Sequence, residues 1–324
     1  MSKQKSEPKT LTEAIRFFAD PKIAADFFAE VRWQDGPECP ACASKNVVSL
    51  TTRPVYKCRE CKKQFSVKVG TIFEDSPLGL DKWLPTLWMI ANCKNGISSY
   101  EVGRALGVTQ KTAWFMLQRI RLAMQSKSFV KLDGEVEIDE TWIGGKARNM
   151  HVGKRRGRLQ GGRGVAGKTV VLGLLERHGL DKKKGSKIRA KVIVRRTKSA
   201  MHKHVMAEIE PGAEIFTDEF GGYQGLEAFY RHKVINHAEC YARGNVHTNS
   251  IESFWSLLKR GIRGTYVSVE PFHLFRYLDE QVFRFNNRKE DDKSRFAELL
   301  GSVLGRRLPY KNLIGAGLEP LQTC

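Results

Sequence analysis

Apolar and polar positions alternate between helical and strand-like spacing along the chain. Between residues 11 and 32, Ile15, Phe17 and Phe18, then Ile23, Phe27, Phe28 and Val31, form two apolar stripes separated by Asp20-Pro21, which predicts two short helices. Residues 36–69 lose that period and show turn formers and short β-type runs such as Val47-Val48-Ser49-Leu50. Helical spacing returns over 80–124, punctuated near Gly96 and Gly107, and a polar, basic link covers 125–131. Strands are then predicted at Val136 and Ile138, Thr169 to Leu175, Lys191 to Val194 and Ile215-Phe216, followed by helices around 250–260 and 271–286. No internal repeat is visible. The pattern predicts a multidomain chain. It has an N-terminal helical segment (11–35), a turn-rich module (36–69), a helical region (80–126), an α/β domain (132–300) and an uninformative tail (301–324).

Length and charge narrow the class. A chain of 324 residues exceeds one small core, and 41% hydrophobic content supports globular structure. The formal charge is +20, from 55 Lys+Arg against 35 Asp+Glu, which favours a polyanionic partner, nucleic acid first, over a merely basic protein or a membrane-surface binder. No stretch of about 20 apolar residues offers a membrane span, and Met1 to Thr10 lacks the apolar run of a signal peptide. The expectation is therefore a cytoplasmic, nucleoid-associated protein whose cysteines are not disulfides.

Four of the seven cysteines form two pairs: Cys39-Pro40-Ala41-Cys42, fifteen residues, then Cys58-Arg59-Glu60-Cys61. Two close thiolate pairs on separate turns suit a tetrahedral, structural Zn²⁺ with no open position for water. Tyr56 and Phe65 flank the second pair and could cover it. A redox dithiol would use one pair inside a βαβ pattern, which residues 36–69 lack.

Residues 97–124 read as a helix-turn-helix. Ser98 and Glu101 make a capping-box pattern, Gly107 sits in the turn, and Thr109 can cap the second helix. Gln110, Lys111 and Thr112 would then stand at the exposed start of a recognition helix, with Arg119 and Arg121 suited to phosphate. An ordinary helical hairpin remains the alternative. Residues 146–168 are Gly-rich, carry eight Lys/Arg and no acid, and read as a mobile basic loop, with Lys154, Arg155 and Arg156 as DNA-backbone contacts. Gly162 to Thr169 matches a phosphate-loop pattern, but a strand rather than a helix follows it, so no nucleotide cofactor is expected.

Three acids stand out. In Glu135 to Trp142, alternation puts Val136 and Ile138 on one face and Glu135, Glu137 and Asp139 on the other. Asp218 ends a short apolar strand before Gly221-Gly222. In the segment 249–260, Ile251, Phe254, Trp255 and Leu258 make a buried stripe, and Glu252 and Lys259 share a face beside it. Acids at strand ends suit a hard cation such as Mg²⁺. On the residues alone, Asp139 and Asp218 read equally well as solvated or capping acids, Glu252 as half of a capping box with Asn249, and His247 as a loop histidine.

The two cysteine pairs, then Ile138-Asp139-Glu140-Thr141-Trp142-Ile143-Gly144-Gly145-Lys146, then Thr217 to Tyr223, then His247 to Gly261, resemble the ISXO-like zinc-ribbon DDE transposases of bacterial insertion sequences. The resemblance runs from about residue 20 to 290. It implies an RNase H-like domain with a mixed sheet flanked by helices. Asp139, Asp218 and Glu252 match the DDE positions for Mg²⁺ or Mn²⁺, and Lys259 the trailing basic residue. It also implies double-stranded DNA, transposon ends and target, as partner, and a homo-oligomer to pair two ends. Glu140 and Glu219 should point away from the site.

Overall fold

The computed structural model describes residues 7–50, 53–126, 128, 130–145, 167–177, 185–236 and 246–315. The chain divides into two compact units. One runs to Met124 and resumes at Glu290; the other spans Gln125–Lys289.

The first unit begins with α1 (Leu11–Phe18) and α2 (Pro21–Arg32), broken where Asp20-Pro21 predicts it. Asp20 caps α2 by accepting from the Lys22 and Ile23 N–H groups. A three-stranded antiparallel sheet follows, β1 (Val47–Ser49), β2 (Tyr56–Cys58) and β3 (Gln64–Phe65). Then come α3 (Leu80–Asn92), α4 (Ser99–Leu106) and α5 (Gln110–Met124). The Ser98–Glu101 capping box forms, Gly107 adopts the left-handed conformation (φ 66°) that ends α4, and Thr109 accepts from the Thr112 N–H at 3.2 Å.

This unit is completed by residues assigned from sequence to the α/β domain and the tail. Helix α9 (Asp292–Gly301) packs on α3, with Phe296 against Phe18 and Trp88 at ring-centroid distances of 5.8 and 5.1 Å. Ile72 N–H donates to Val303 O, and Arg306 donates to Leu122 O. The expected boundary at 300 therefore moves to 289, and 301–315 is packed chain, ending in α10 (Tyr310–Leu313). A lone Phe in a charged decapeptide gives no clue that its docking surface lies some 200 residues earlier, the spacing of the Arg295–Asn92 hydrogen bond being 203.

The second unit is a mixed five-stranded sheet in the order β6-β5-β4-β7-β8. Strands β4 (Glu135–Ile143), β5 (Thr169–Arg177) and β6 (Lys187–Ile193) run antiparallel; β7 (Glu214–Thr217) is parallel to β4, and β8 (Arg231–Val234) to β7. Strand β6 starts earlier than the apolar run suggests. Its inner neighbours Ile188 and Ala190 alternate with charges, and it lies at a sheet edge, where a strand need not be apolar on both faces. Alternation along β4 sends Val136 and Ile138 into a core with Met201 and Val205 of α6 (Lys198–Glu208). The opposite face packs Val171, Leu175 and Ile188 against α7 (Asn249–Gly261) and α8 (Leu274–Asn286). Burying both faces is what allows the central strands to be so apolar. Among the described residues, no helix is long and apolar enough to cross a membrane.

Candidate active site

The cysteines and the acids fall in different units. In the first unit, each cysteine pair closes a tight turn of the same form. The Cys39 N–H donates to Ser44 O and the Cys58 N–H to Lys63 O, both at 3.0 Å, and the residue after each second cysteine, Ala43 (φ 55°) and Lys62 (φ 63°), is left-handed. The two turns bring all four Sγ atoms within 4.8 Å of one another. Cys39 and Cys61 are 3.6 Å apart and Cys42 and Cys58 3.7 Å. A Zn–S bond of about 2.3 Å in tetrahedral geometry requires thiolates about 3.8 Å apart, so the donor set fits zinc. Burial pushes the Cys58 thiol up, but hydrogen bonds from the Cys61 and Glu60 backbone, with the neighbouring thiols, bring it down to about 7. Phe65 is buried beside Cys39 and Cys58 and stacks on Tyr56, so the aromatic cover expected from sequence is present.

In the second unit, Asp139 lies on the α7 face of β4. Its Oδ1 accepts from the Glu140 N–H at 2.8 Å and its Oδ2 from the Trp255 indole N–H at 2.9 Å. That indole can reach because Gly173 sits opposite Asp139 on β5; a Cβ there would meet the Trp255 ring at 2.6 Å and Ile251 at 2.9 Å. The first and third acidic segments are thus joined directly. Asp218 follows β7, the strand paired with β4, and accepts from the Phe220 N–H at 3.1 Å. Glu252 lies in the first turn of α7, half-buried, where the Thr248 hydroxyl donates to its Oε1 at 3.2 Å; no capping box with Asn249 forms.

Charge connects these groups. Burial, and then the negative charges of Asp139 and Asp218, hold the Tyr223 phenol protonated well above its usual range. Burial, and then the charge of Arg263, lowers the Lys259 ammonium; Asp139 opposes the shift and Lys168 adds to it. The three carboxylates are not as close as the thiols: among the described residues, only the cysteines gather ligand atoms within 4.8 Å.

Several residues that sequence reasoning passed over organise this region. Glu140 does turn to the opposite face from Asp139, but it is buried there, accepting from the Tyr223 hydroxyl and pairing with Arg196, whose guanidinium lies 3.3 Å over the Phe220 ring centroid. The loop carrying Asp218 is thereby tied to β4. Glu219 is exposed, as expected. Glu137 is wholly buried and paired with Arg177 at 2.6 Å, and His247 joins them through a 2.8 Å contact from its Nδ1 to Arg177. The available signal was Arg177 closing an apolar strand, since an arginine there needs a carboxylate across the sheet.

Of the residues read as DNA contacts, Lys111 is exposed at the start of α5. Gln110 donates to the Ser99 hydroxyl at 2.8 Å, and Thr112 bonds Thr109 at 2.9 Å. Arg119 corrects the sequence reading. It is 5% exposed and donates to Ile72 O (3.0 Å) and Glu74 O (2.6 Å), so it braces the interior rather than facing a phosphate. Arg121, 1% exposed, is likewise internal. A buried arginine must find its acceptors inside the protein, and those of Arg119 lie 47 and 45 residues away, where no local pattern reveals them. Lys154, Arg155 and Arg156 lie outside the described residues.

Comparison with known proteins agrees with this division. Residues 131–286 match the ISXO2-like transposase domain, and residues 22–64 match the transposase zinc-ribbon domain. An uncharacterized protein in the transposable element ISH50 of Halobacterium salinarum is 29% identical over 290 residues, 83% of this chain and 94% of that protein.

Proposed function

Taking as premise that the chain belongs to the ISXO2-like, zinc-ribbon transposases, we propose that it binds the ends of an insertion sequence, cuts them and joins the freed 3′ ends to target DNA. The observation that carries this reading is the Trp255–Asp139 hydrogen bond, which fixes the helix of Glu252 and Lys259 against the strand of Asp139. Asp218 follows the adjacent parallel strand. The sheet order, three antiparallel strands then two parallel to the first, supports an RNase H-like domain. Helices α4 and α5 around Gly107 support a helix-turn-helix, with Lys111 and its neighbours Gln110 and Thr112 meeting base edges.

Asp139, Asp218 and Glu252 supply hard oxygen donors, and the Trp255 indole holds the helix of Glu252 beside Asp139. Bound there, Mg²⁺ or Mn²⁺ would stabilise the charge of an attacked phosphodiester and lower the pKa of a bound water. The chain does the positioning. Trp255 and the Glu140 N–H orient the Asp139 carboxylate, Thr248 orients Glu252, and Lys259 contacts a phosphate beside the scissile bond. The same site then holds the 3′-OH in line for attack on target DNA. Lys154, Arg155 and Arg156 would neutralise the DNA backbone. Pairing two ends calls for more than one protomer, and the substrate places the work at the nucleoid.

Asp139→Asn tests the assignment. Cleavage should fall at least about a hundredfold while gel-shift binding to end DNA persists. Unchanged cleavage would contradict it.

A further inference from the structure

We infer that Arg177 and His247 clamp the buried carboxylate of Glu137, and that this clamp positions Glu252 by capping the first turn of α7 from the central strand, an inference that rests on the metal-ligand role proposed for Glu252. The first N–H groups of a helix lack partners within it and are usually met by the N-cap side chain, which bonds the second or third residue. Here the N-cap is Thr248, and its side chain makes no such bond; its hydroxyl donates to Glu252 instead. The third N–H, Ile251, donates at 2.8 Å to Glu137 Oε2 on β4. Glu137 thus takes the place of the N-cap, from a strand remote in sequence.

The remaining bonds hold that carboxylate still. Its Oε1 accepts from Arg177 Nε at 2.6 Å, and its side chain is fully buried. Arg177 Nη2 reaches His247 Nδ1 at 2.8 Å and donates to the His247 carbonyl at 2.6 Å, and the guanidinium lies 4.3 Å over the Phe216 ring of β7. One cation therefore ties β5, β4, β7 and the residue before the N-cap together. Glu137 is two positions from Asp139 on the same face of β4, so the clamp fixes the helix of one proposed ligand in register with the strand of another. Glu137 acts through Glu252 and is a positioning residue.

The test uses the full chain, Mn²⁺ as the probe ion, and wild type, Glu137→Ala, Glu137→Gln, Glu252→Gln and the Glu137→Ala/Glu252→Gln pair. Mn²⁺ affinity is measured by titration, and exchange at the Ile251 amide by hydrogen exchange. Glu137→Ala should speed Ile251 exchange and weaken Mn²⁺ binding roughly ten- to hundredfold, and the double variant should bind no more weakly than Glu252→Gln. Glu137→Gln keeps a carbonyl acceptor and should restore protection and most of the affinity. Should Glu137→Ala fail to fold, Arg177→Lys takes its place, with Ile251 exchange faster and Mn²⁺ bound severalfold more weakly. Unchanged affinity in Glu137→Ala, no rescue by Gln, or additive losses in the pair would overturn the clamp while leaving the metal reading intact. Unchanged affinity in Glu252→Gln would overturn the metal reading and the clamp with it.

Discussion

The four cysteine thiols are gathered into one cluster, whereas the three carboxylates proposed to hold a divalent ion are not. The four thiols lie within 4.8 Å of one another, while Asp139, Asp218 and Glu252 are each held by a neighbour's hydrogen bond and form no such cluster. Two causes separate them. The thiols come from two local turns of one small sheet. The acids come from a strand, a strand end and a helix, and like charges repel one another. Elements around the acids accordingly supply the order: Gly173 opens room for Trp255, and the Tyr223–Glu140–Arg196 contacts tie down the Asp218 loop.

The largest effect is expected from metal removal. Stripping zinc, or Cys58→Ser, should unfold residues 36–66, because zinc in such modules contributes on the order of 10 kcal/mol of folding free energy, while the second unit stays folded. Hydrogen exchange mapped along the chain reads this, and purified protein without zinc would contradict it. Removing Mg²⁺ should leave exchange throughout the second unit nearly unchanged. Gly173→Val is the next effect. Its side chain displaces Trp255, costing about 1–3 kcal/mol in denaturant unfolding of the second unit and lowering cleavage more than stability alone explains. Full activity would show that the indole–Asp139 bond is dispensable.

The same contrast marks what the sequence revealed. The zinc module was legible in full, because its ligands, spacing and aromatic cover are local. The helix and strand patterns around Asp139, Asp218 and Glu252 were legible too, since alternation and the stripe of Ile251, Phe254, Trp255 and Leu258 follow from burial. Partners remote in sequence were not: Glu137 read as one more strand-face acid and Arg119 as a phosphate contact, and nothing local pointed to the Arg177 contact of the loop residue His247. The same holds for residues 290–315, whose place in the first unit depends on α3.

Two substitutions should have smaller effects. Lys259→Ala should reduce cleavage roughly tenfold, about 1.4 kcal/mol in the transition state, while changing the affinity for end DNA severalfold less; equal losses would make it a general phosphate contact. Lys62→Gly relieves a left-handed conformation and should leave the zinc module unchanged or more stable by up to about 1 kcal/mol, read by the midpoint of zinc-dependent unfolding.

Strand cleavage and joining are proposed to take place at the carboxylate site. The direct measurement incubates the purified protein and Mg²⁺ with a plasmid carrying the DNA that flanks its reading frame. Nicks and joined 3′ ends are mapped, with Asp218→Asn as control. Metal-dependent cuts at the flanking repeats and capture of the 3′ ends by a second DNA are expected, both lost in the variant. Tight binding with no cutting, with both ends present and under Mg²⁺ or Mn²⁺, would contradict it and leave a protein that binds DNA without acting on it.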